Sequence, residues 1–256
     1  MASLNPAVSP ASTSSRGFTL TEMAVVLVIV ALLVGGMLIP MSAQQDVRYM
    51  SDTQTTLKNI HEALLGFAVA NGRLPCPATI ASDGAEKFVD PDSNVGKATG
   101  ECEVHFDGYV PAVTLGIQPT DSSGFAIDAW GNRIRYAVTD KTVGTTARAL
   151  TRTDGMRAAT MSGIAGAVPL LSVCVSATGV TGTSCGTAVK MTDAAPVLIF
   201  STGKNGPNAD ADEQANLTTV DAVFVGKDAA GKFDDQLIWM SSSILFNRMI
   251  AAGRLP

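Results

Sequence analysis

The sequence predicts an α+β protein in which one long N-terminal helix precedes a head built from β-strands and turns. Three observations support this fold class. A run without any charged side chain extends from Met23 to Met41, and apolar residues then recur at helical spacing to about residue 70. The rest of the chain alternates short β-prone runs with Gly, Thr and Ser.

The uncharged run is long enough to cross a bilayer. At a rise of about 1.5 Å per residue, a helix over 23–41 spans a hydrocarbon core of about 30 Å. A buried core helix would carry a polar stripe with a period of about 3.6 residues, and this run has none. The run therefore predicts a membrane helix. Gly35, Gly36 and Pro40 lie within it and predict either a hinge or a static kink with close helix packing.

The residues before this run have the reverse order of a secretory signal. In a secretory signal the cleavage site follows the apolar stretch. Here a polar segment rich in Ser, Ala and Pro ends at Arg16 and Gly17, and the apolar residues begin only after Phe18. Cleavage between Gly17 and Phe18 would remove the leader and keep the helix.

Gly17, Phe18 and Glu22, followed by the apolar run, resemble the N-terminal segment of the type IV pilin and type II secretion pseudopilin superfamily. The resemblance implies cleavage by prepilin peptidase after Gly17, N-methylation of Phe18 and polymerisation through the N-terminal helix. It implies a structural subunit of a pilus-like or pseudopilus filament. Its partners would be pilin or pseudopilin subunits of the same or another kind, the inner-membrane assembly platform and membrane lipid.

Glu22 is the one carboxylate beside the apolar run. A carboxylate at the edge of a hydrocarbon segment is costly unless it is paired. The resemblance implies that the amine of Phe18 on a neighbouring subunit neutralises Glu22 during assembly. The alternative is that Glu22 reaches the lipid headgroups at a helix start, where the helix dipole also favours a negative charge.

The predicted topology places most of the chain outside the cytoplasm, because a short leader precedes the helix and about 200 residues follow it. We expect a single-pass inner-membrane protein with a cytoplasmic N-terminus and a periplasmic head, which later enters an extracytoplasmic filament. The predicted segments are a leader over 1–17, a membrane and assembly helix over 18–41, an amphipathic helix over 42–72, and a head over 73–256 with a variable, exposed insertion over 141–190.

The four cysteines suit an oxidising compartment, where disulfides persist. Two pairs are local in sequence, and we predict Cys76–Cys102 and Cys174–Cys185. Three connectivities are possible for four cysteines, so the other two stay open. None of the cysteines has the CxxC spacing of a metal site.

The head is predicted to be an antiparallel sheet, as in the type IV pilin fold. Asp128, Trp130 and Gly131 are similar to the D-x-W-G segment that opens the sheet of major pseudopilins, which favours a packing role for Trp130. A final helix is expected from about Gln236 to Ala252. The predicted strands are Ile134–Val138, Val168–Val175, Val197–Phe200 and Ala222–Val225.

Acidic residues near the C-terminus are candidate ligands for calcium, which takes oxygen ligands in proteins. The resemblance to pseudopilins, some of which bind calcium in an acidic loop, supports this hypothesis. A solvated acidic turn is the alternative, and two adjacent acids could instead cap the final helix. The candidate ligands are Asp210, Asp212, Glu213, Asp234 and Asp235.

The composition favours a structural role over catalysis or nucleic-acid binding. With two histidines and no HExxH motif, the chain has little equipment for catalysis, and we expect no enzyme. A net charge of −5 and a pI near 5.0 argue against a nucleic-acid partner. A basic patch would support an alternative role as a DNA-uptake pilin. A further alternative is a minor or tip pilin that acts as a ligand- or DNA-binding adhesin through 141–190. The patch would comprise Arg133, Arg135, Arg148 and Arg152.

Overall fold

The computed structural model of the chain describes residues 17–206, 210–217 and 221–255, and within these ranges the side chains of 36–43 are not described. The chain divides into two compact units, Met1–Val47 and Arg48–Pro256. The second unit is the head, and it includes the C-terminal part of the long helix.

The predicted N-terminal helix is confirmed as α1, Leu20–Asn71. It ends as the sequence predicts, because the Asn71 side chain donates to the carbonyl of Phe67 and Gly72 takes φ +68°. The backbone is helical from Gly35 through Pro40. The hinge and kink hypotheses also depend on side chains over 36–43, which lie outside the described residues.

The predicted membrane segment also lies partly outside the described side chains, because it extends to Met41. Within the side chains that the structure does describe, no helix is long and apolar enough to cross a membrane.

The head contains seven strands and six short helices in its described ranges. The helices after α1 are α2 (Ser93–Thr99), α3 (Ala112–Leu115), α4 (Gly155–Ala159), α5 (Met161–Gly166), α6 (Ala211–Ala215) and α7 (Ser242–Ala251). The strands are β1 (Gly108–Tyr109), β2 (Arg135–Val138), β3 (Leu171–Cys174), β4 (Lys190–Ala195), β5 (Val197–Ser201), β6 (Val223–Val225) and β7 (Gln236–Met240).

The strands form two sheets. The larger sheet has the order β1-β2-β5-β7 and is antiparallel throughout, with Tyr136 opposite Ile199 and Leu198 opposite Trp239. The smaller sheet has the order β4-β3-β6, and its β3–β6 pair is parallel. The expected antiparallel sheet is therefore present, and a small mixed sheet accompanies it.

The larger sheet is covered on both faces, so its central strands are apolar on both sides. On one face, Tyr136 and Ile199 pack with the α1 residues Leu57, Ile60 and Leu64, which are fully buried. On the other face lies a second cluster that includes the smaller sheet. This cluster contains Ala137, Leu198 and Phe200 with Leu171, Val173 and Phe224.

The expected helix over 236–252 is wrong in its first part. Gln236–Met240 is strand β7, and α7 begins only at Ser242. Asp234 and Asp235 accordingly do not cap a helix. Residues 236–240 form a strand because they complete the edge of the larger sheet beside β5.

The segment 141–190 is also not the exposed insertion that its composition suggested. It supplies α4, α5 and β3, and several of its side chains belong to the core beside α1. Other residues of the segment, such as Thr181 and Ser184, are exposed. The buried members include Val143, Leu150, Met156, Ile164 and Leu170.

The structure pairs the cysteines in the arrangement that the sequence favoured. Cys76 is bonded to Cys102, and Cys174 is bonded to Cys185. The first disulfide lies in the core beside α1, and the second joins β3 to the loop that follows it. Both therefore belong to the head.

Candidate functional site

The predicted cleavage site lies just before α1. Gly17, Phe18 and Thr19 are not helical, and the helix begins at Leu20. Phe18 is 79% exposed, and no neighbouring atom within the described residues lies within 4 Å of where a Cβ on Gly17 would be. The Gly17–Phe18 peptide bond thus lies outside the helix, with open space beside Gly17 among the described residues.

Glu22 and Thr19 form a capping box at the start of α1. Its Oε2 accepts from both the backbone N–H and the hydroxyl of Thr19, each at 2.8 Å. In return, the N–H of Glu22 donates to Thr19 Oγ1 at 3.3 Å. This reciprocal pattern satisfies N–H groups that a helix start otherwise leaves without partners.

Thr19 is not among the residues that were predicted for this site. The signal was available, because a Ser or Thr followed three residues later by Glu, just before an apolar run, is the pattern of a capping box. Glu22 therefore has a local role at the helix start whatever it does in assembly.

The surface of α1 after the capping box is apolar and uncovered. Every side chain from 17 to 35 is exposed. Apolar surface of this extent marks a site of contact with lipid or with other chains. The exposed apolar residues of this stretch include Leu20, Met23, Val25, Val26, Leu27, Val28, Ile29, Val30, Leu32, Leu33 and Val34.

Three of the five predicted calcium ligands converge in the head. One carboxylate oxygen from each of Glu213, Asp234 and Asp235 lies within 4.8 Å of the other two. Glu213 and Asp235 are almost completely buried, and Asp234 is half-buried. We call these three residues the acidic cluster. It forms because α6 and the chain just before β7 meet at this point.

Hydrogen bonds orient Asp234 and Asp235 but leave one oxygen of each without a partner among the described residues. Asp234 Oδ2 accepts from the N–H groups of Lys204 and Asn205, and Asp235 Oδ2 accepts from the amide of Asn216 at 2.7 Å. Within the described part of the chain, Asp234 Oδ1 and Asp235 Oδ1 are buried without a hydrogen-bond partner. Two buried oxygens are therefore available to a further ligand.

Burial and mutual repulsion favour the neutral forms of these acids. Burial, together with the nearby Glu213, raises the pKa of Asp235 to about 7, and the Asn216 amide offsets only part of that rise. The pKa of Asp234 is also raised, mainly by burial and then by Glu213. A cation with two positive charges would relieve this repulsion, so the residues present fit a calcium ion.

The loop at Gly203 packs against the acidic cluster, and Asp128 and Asn132 bond to this loop. Gly203 has φ +63°, and a Cβ at this position would lie 2.2 Å from Asp234 Oδ1. Asn132 donates to the carbonyl of Gly203 at 2.6 Å, and Asp128 accepts from the hydroxyl of Ser201 at 2.6 Å. The turn that contains the D-x-W-G segment is thereby tied to the loop around the acidic cluster.

Asp210 and Asp212, the other two predicted ligands, have different roles. Asp210 caps α6 by accepting from the N–H groups of Asp212 and Glu213, each at 3.0 Å. Asp212 pairs with Lys227 and accepts from Ala177. Despite partial burial, these bonds hold the pKa of Asp212 below its usual value. Neither Asp210 nor Asp212 is therefore one of the three carboxylates that converge in the acidic cluster.

Trp130 packs as expected. Its ring lies edge-on to that of Tyr49, with centroids 6.0 Å apart, and its backbone N–H donates to Asp128. The N–H of the adjacent Ala129 donates to the Thr53 hydroxyl at 3.1 Å. The D-x-W-G turn thus contacts the part of α1 that belongs to the head.

The proposed basic patch is largely neutralised. Arg133 pairs with Asp121 at 2.7 Å, Arg135 pairs with Asp107, and Arg148 pairs with Glu101. These ion pairs reduce the positive potential that a phosphate backbone would need. Arg133 also stacks over Phe125, with its guanidinium 4.2 Å from the ring centroid.

Two segments match enzyme motifs, one completely and one in part, but they lack the structural context that these motifs require. Residues 182–186 match G-x-S-x-G, yet they form a turn closed by Thr181 and Ser184 rather than a strand-to-helix elbow. Residues 226–232 match G-x-x-x-x-G-K, but Phe233 replaces the required Ser or Thr and β7 follows instead of a helix. Neither segment supports catalysis.

One family model matches the chain. It describes a prokaryotic N-terminal methylation motif and covers residues 12–38. No curated protein and no solved structure shows significant similarity to the chain. The match includes Gly17, Phe18, the capping box and the exposed apolar part of α1. The chain therefore carries a prepilin-type cleavage and methylation motif on an α+β fold, consistent with the type IV pilin and pseudopilin superfamily.

Proposed function

We propose that this chain is a structural subunit of a type IV pilus-like or type II secretion pseudopilus filament. Prepilin peptidase would cleave it after Gly17, and Phe18 would then be methylated. The proposal is supported mainly by the Gly17–Phe18 peptide bond, which is open and lies directly before a capped helix. The chain over 17–35 is exposed and mostly apolar. Families defined by this motif are structural rather than catalytic.

We infer that the chain is first held in the inner membrane, with its N-terminus cytoplasmic and its head periplasmic. The motif supports a membrane-anchored or extracytoplasmic protein. Two disulfides in the head suit an oxidising compartment. Assembly would then transfer the apolar surface of α1 from lipid to the α1 helices of neighbouring subunits.

Glu22 is proposed to act in assembly through its charge, and the capping box makes this role separable from helix capping. Glu22→Gln removes the charge but keeps a side chain that can close a capping box, whereas Thr19→Ala breaks the box and keeps the charge. Glu62→Gln, on the exposed surface of α1 in the head, is the matched control.

The test combines intact-mass and N-terminal analysis of membrane protein with recovery of sheared filaments. We expect a mature wild-type chain that begins at methylated Phe18. We also expect Glu22→Gln to be processed but absent from filaments, while Thr19→Ala and Glu62→Gln assemble. An uncut wild-type chain would contradict the filament proposal. If Glu22→Gln entered filaments and Thr19→Ala did not, the role of Glu22 would be helix capping and not its charge.

We further propose that the acidic cluster binds calcium. The supporting observation is the pair of buried, partnerless oxygens on Asp234 and Asp235 within the described residues. Glu213, Asp234 and Asp235 would each supply an oxygen ligand. A bound calcium ion would supply positive charge there and stabilise the loops that meet at the acidic cluster.

Calcium should raise the melting temperature of the full-length chain, because a ligand that binds only the folded state stabilises it by mass action, by about 2.7 kcal/mol at a hundredfold excess over Kd. Asp235→Asn should abolish this response and raise the melting temperature without calcium, since it removes a buried charge. Asp92→Asn, which keeps a residue able to cap α2, is the control. If calcium left the melting temperature of the wild-type chain unchanged, the proposed calcium site would be excluded.

A further inference from the structure

A cleft of about 280 Å³ lies in the head between the smaller sheet and the loop closed by the second disulfide. It is separate from both the acidic cluster and the N-terminal segment. Its walls come from the chain before β3, from β3 and β4, and from the loop between them. The lining residues are Pro169, Ser172, Ser184, Cys185, Gly186, Ala188, Lys190 and Asp193.

Ser172 supplies a hydroxyl to this cleft. Along β3, Leu171 and Val173 face the core between the two sheets, so Ser172 and Cys174 face the opposite side. Cys174 is bonded on that side to Cys185, which lines the cleft. The side chain of Ser172 therefore points toward the space under the disulfide loop.

The hydroxyl of Ser172 is buried and not used by the fold. Ser172 is 1% exposed, and among the described residues its Oγ has no hydrogen-bond partner. Its backbone N–H is already satisfied by the carbonyl of Ala222 at 2.8 Å. A buried hydroxyl normally finds a partner, so this one can donate to and accept from a molecule in the cleft.

The other polar groups of the cleft are balanced in charge. Lys190 pairs with Asp193, and both are partly exposed. Ser184 contributes a second hydroxyl, which lies 3.1 Å from the hydroxyl of Thr181. Pro169, Ala188 and the disulfide add apolar wall. The cleft therefore offers hydrogen-bond donors and acceptors on a small apolar surface, with no excess of either charge.

We propose that this cleft binds a neutral, hydroxyl-rich ligand of the size of one sugar residue. An anion is disfavoured because Asp193 already neutralises Lys190, and a divalent cation is disfavoured because Asp193 is the only carboxylate that lines the described cleft. The volume of about 280 Å³ is just below the range of about 300–1,000 Å³ for ligand pockets, which favours a small ligand. This inference concerns the head alone and does not depend on filament assembly.

Saturation-transfer NMR on the full-length chain in detergent tests this proposal. The probes are the methyl glycosides of mannose, galactose and N-acetylglucosamine, with acetate and methyl phosphate as anionic comparisons. We expect saturation transfer to at least one glycoside and to neither anion. Transfer to no glycoside, or to the anions alone, would overturn the proposal.

Variants then locate the binding site. Ser172→Val removes the hydroxyl and fills part of the cleft, and Asp193→Asn alters the rim without adding bulk. Ser172→Val should weaken glycoside binding by about tenfold, the effect of losing one hydrogen bond. Asp193→Asn keeps a hydrogen-bonding side chain but weakens the pair with Lys190, so it should weaken binding less. Ser162→Ala, at an exposed position on α5, is the control and should bind normally. Unchanged glycoside binding in both cleft variants would place binding elsewhere and refute the assignment.

Discussion

At the scale of single residues, Glu22 has two separable physical roles. Its carboxylate accepts two hydrogen bonds from Thr19 and so begins α1. Its negative charge also stands at the edge of an apolar surface where another subunit could supply a cation. Local hydrogen bonding lowers the cost of keeping this carboxylate before assembly, because the group is not left without partners.

Loss of the Thr19 hydroxyl should loosen the start of α1. Removing a Ser or Thr cap costs about 0.5–2 kcal/mol of local stability. In Thr19→Ala, the amides of the first turn should therefore exchange hydrogen roughly 2- to 30-fold faster in detergent micelles, as measured by NMR. Thr55→Ala, in the middle of α1, should leave these amides unchanged. Equal exchange in Thr19→Ala and wild type would show that the capping box is not formed in solution.

At the scale of elements, a buried ion pair fixes the turn that follows α1. Arg73 donates to both carboxylate oxygens of Glu86, each at 2.7 Å, and both side chains are largely buried. The guanidinium also lies 5.2 Å from the ring centroid of Phe67 and 5.3 Å from that of Phe88. This arrangement orients the chain as it leaves the helix toward Cys76.

Arg73→Met should destabilise the head by about 3–5 kcal/mol, because it leaves the Glu86 carboxylate buried without its cation. Arg73→Met combined with Glu86→Leu should lose less stability than Arg73→Met alone. Denaturant unfolding followed by tryptophan fluorescence measures both. Lys190→Met breaks a more exposed pair and should cost at most about 1 kcal/mol. If Arg73→Met behaved like Lys190→Met, the pair would contribute little to the fold.

β7 shows how an element can be misread from its sequence. The apolar residues here lie near the spacing of one continuous helix, and they are Leu237, Met240, Ile244, Leu245 and Met249. In the structure, residues 236–240 pair with β5 and leave the helix to begin after Ser241. The free energy of completing the sheet outweighs the helical pattern, and only the presence of β5 decides this.

At the scale of the whole head, one buried histidine makes stability depend on pH. Burial lowers the pKa of His105, with Asp140 and Glu101 opposing and Arg148 adding to this effect. Its Nδ1 is buried and, within the described residues, has no partner. The folded state therefore disfavours the imidazolium form.

Because the pKa of His105 is lower in the folded head than the 6.5 of the unfolded chain, its contribution to stability is present above pH 6.5 and is lost as the pH falls toward the folded value. His105→Gln should reduce the fall in melting temperature between pH 7 and pH 5. His61→Gln, which changes the other histidine, should keep the wild-type fall. The same pH dependence in all three proteins would contradict this assignment.

The features of the N-terminal part could be predicted from the sequence because they are local. Gly17, Phe18, Glu22 and the apolar run act through local chemistry, since cleavage context, helix capping and hydrophobicity need few distant contacts. The sequence also predicted the end of α1 at Asn71 and Gly72, because helix capping depends on neighbouring residues. The local cysteine pairs also followed from their spacing, although sequence left other connectivities open.

Only the tertiary structure decided which acidic residues meet and what the middle of the chain does. Asp212 lies beside Glu213 in sequence, yet it pairs with Lys227, while Glu213 meets Asp234 and Asp235 from a distant segment. Segment 141–190 has the composition of a variable, exposed insertion but supplies core residues and strand β3. These outcomes depend on contacts between residues far apart in the chain, and composition and periodicity contain no information about such contacts.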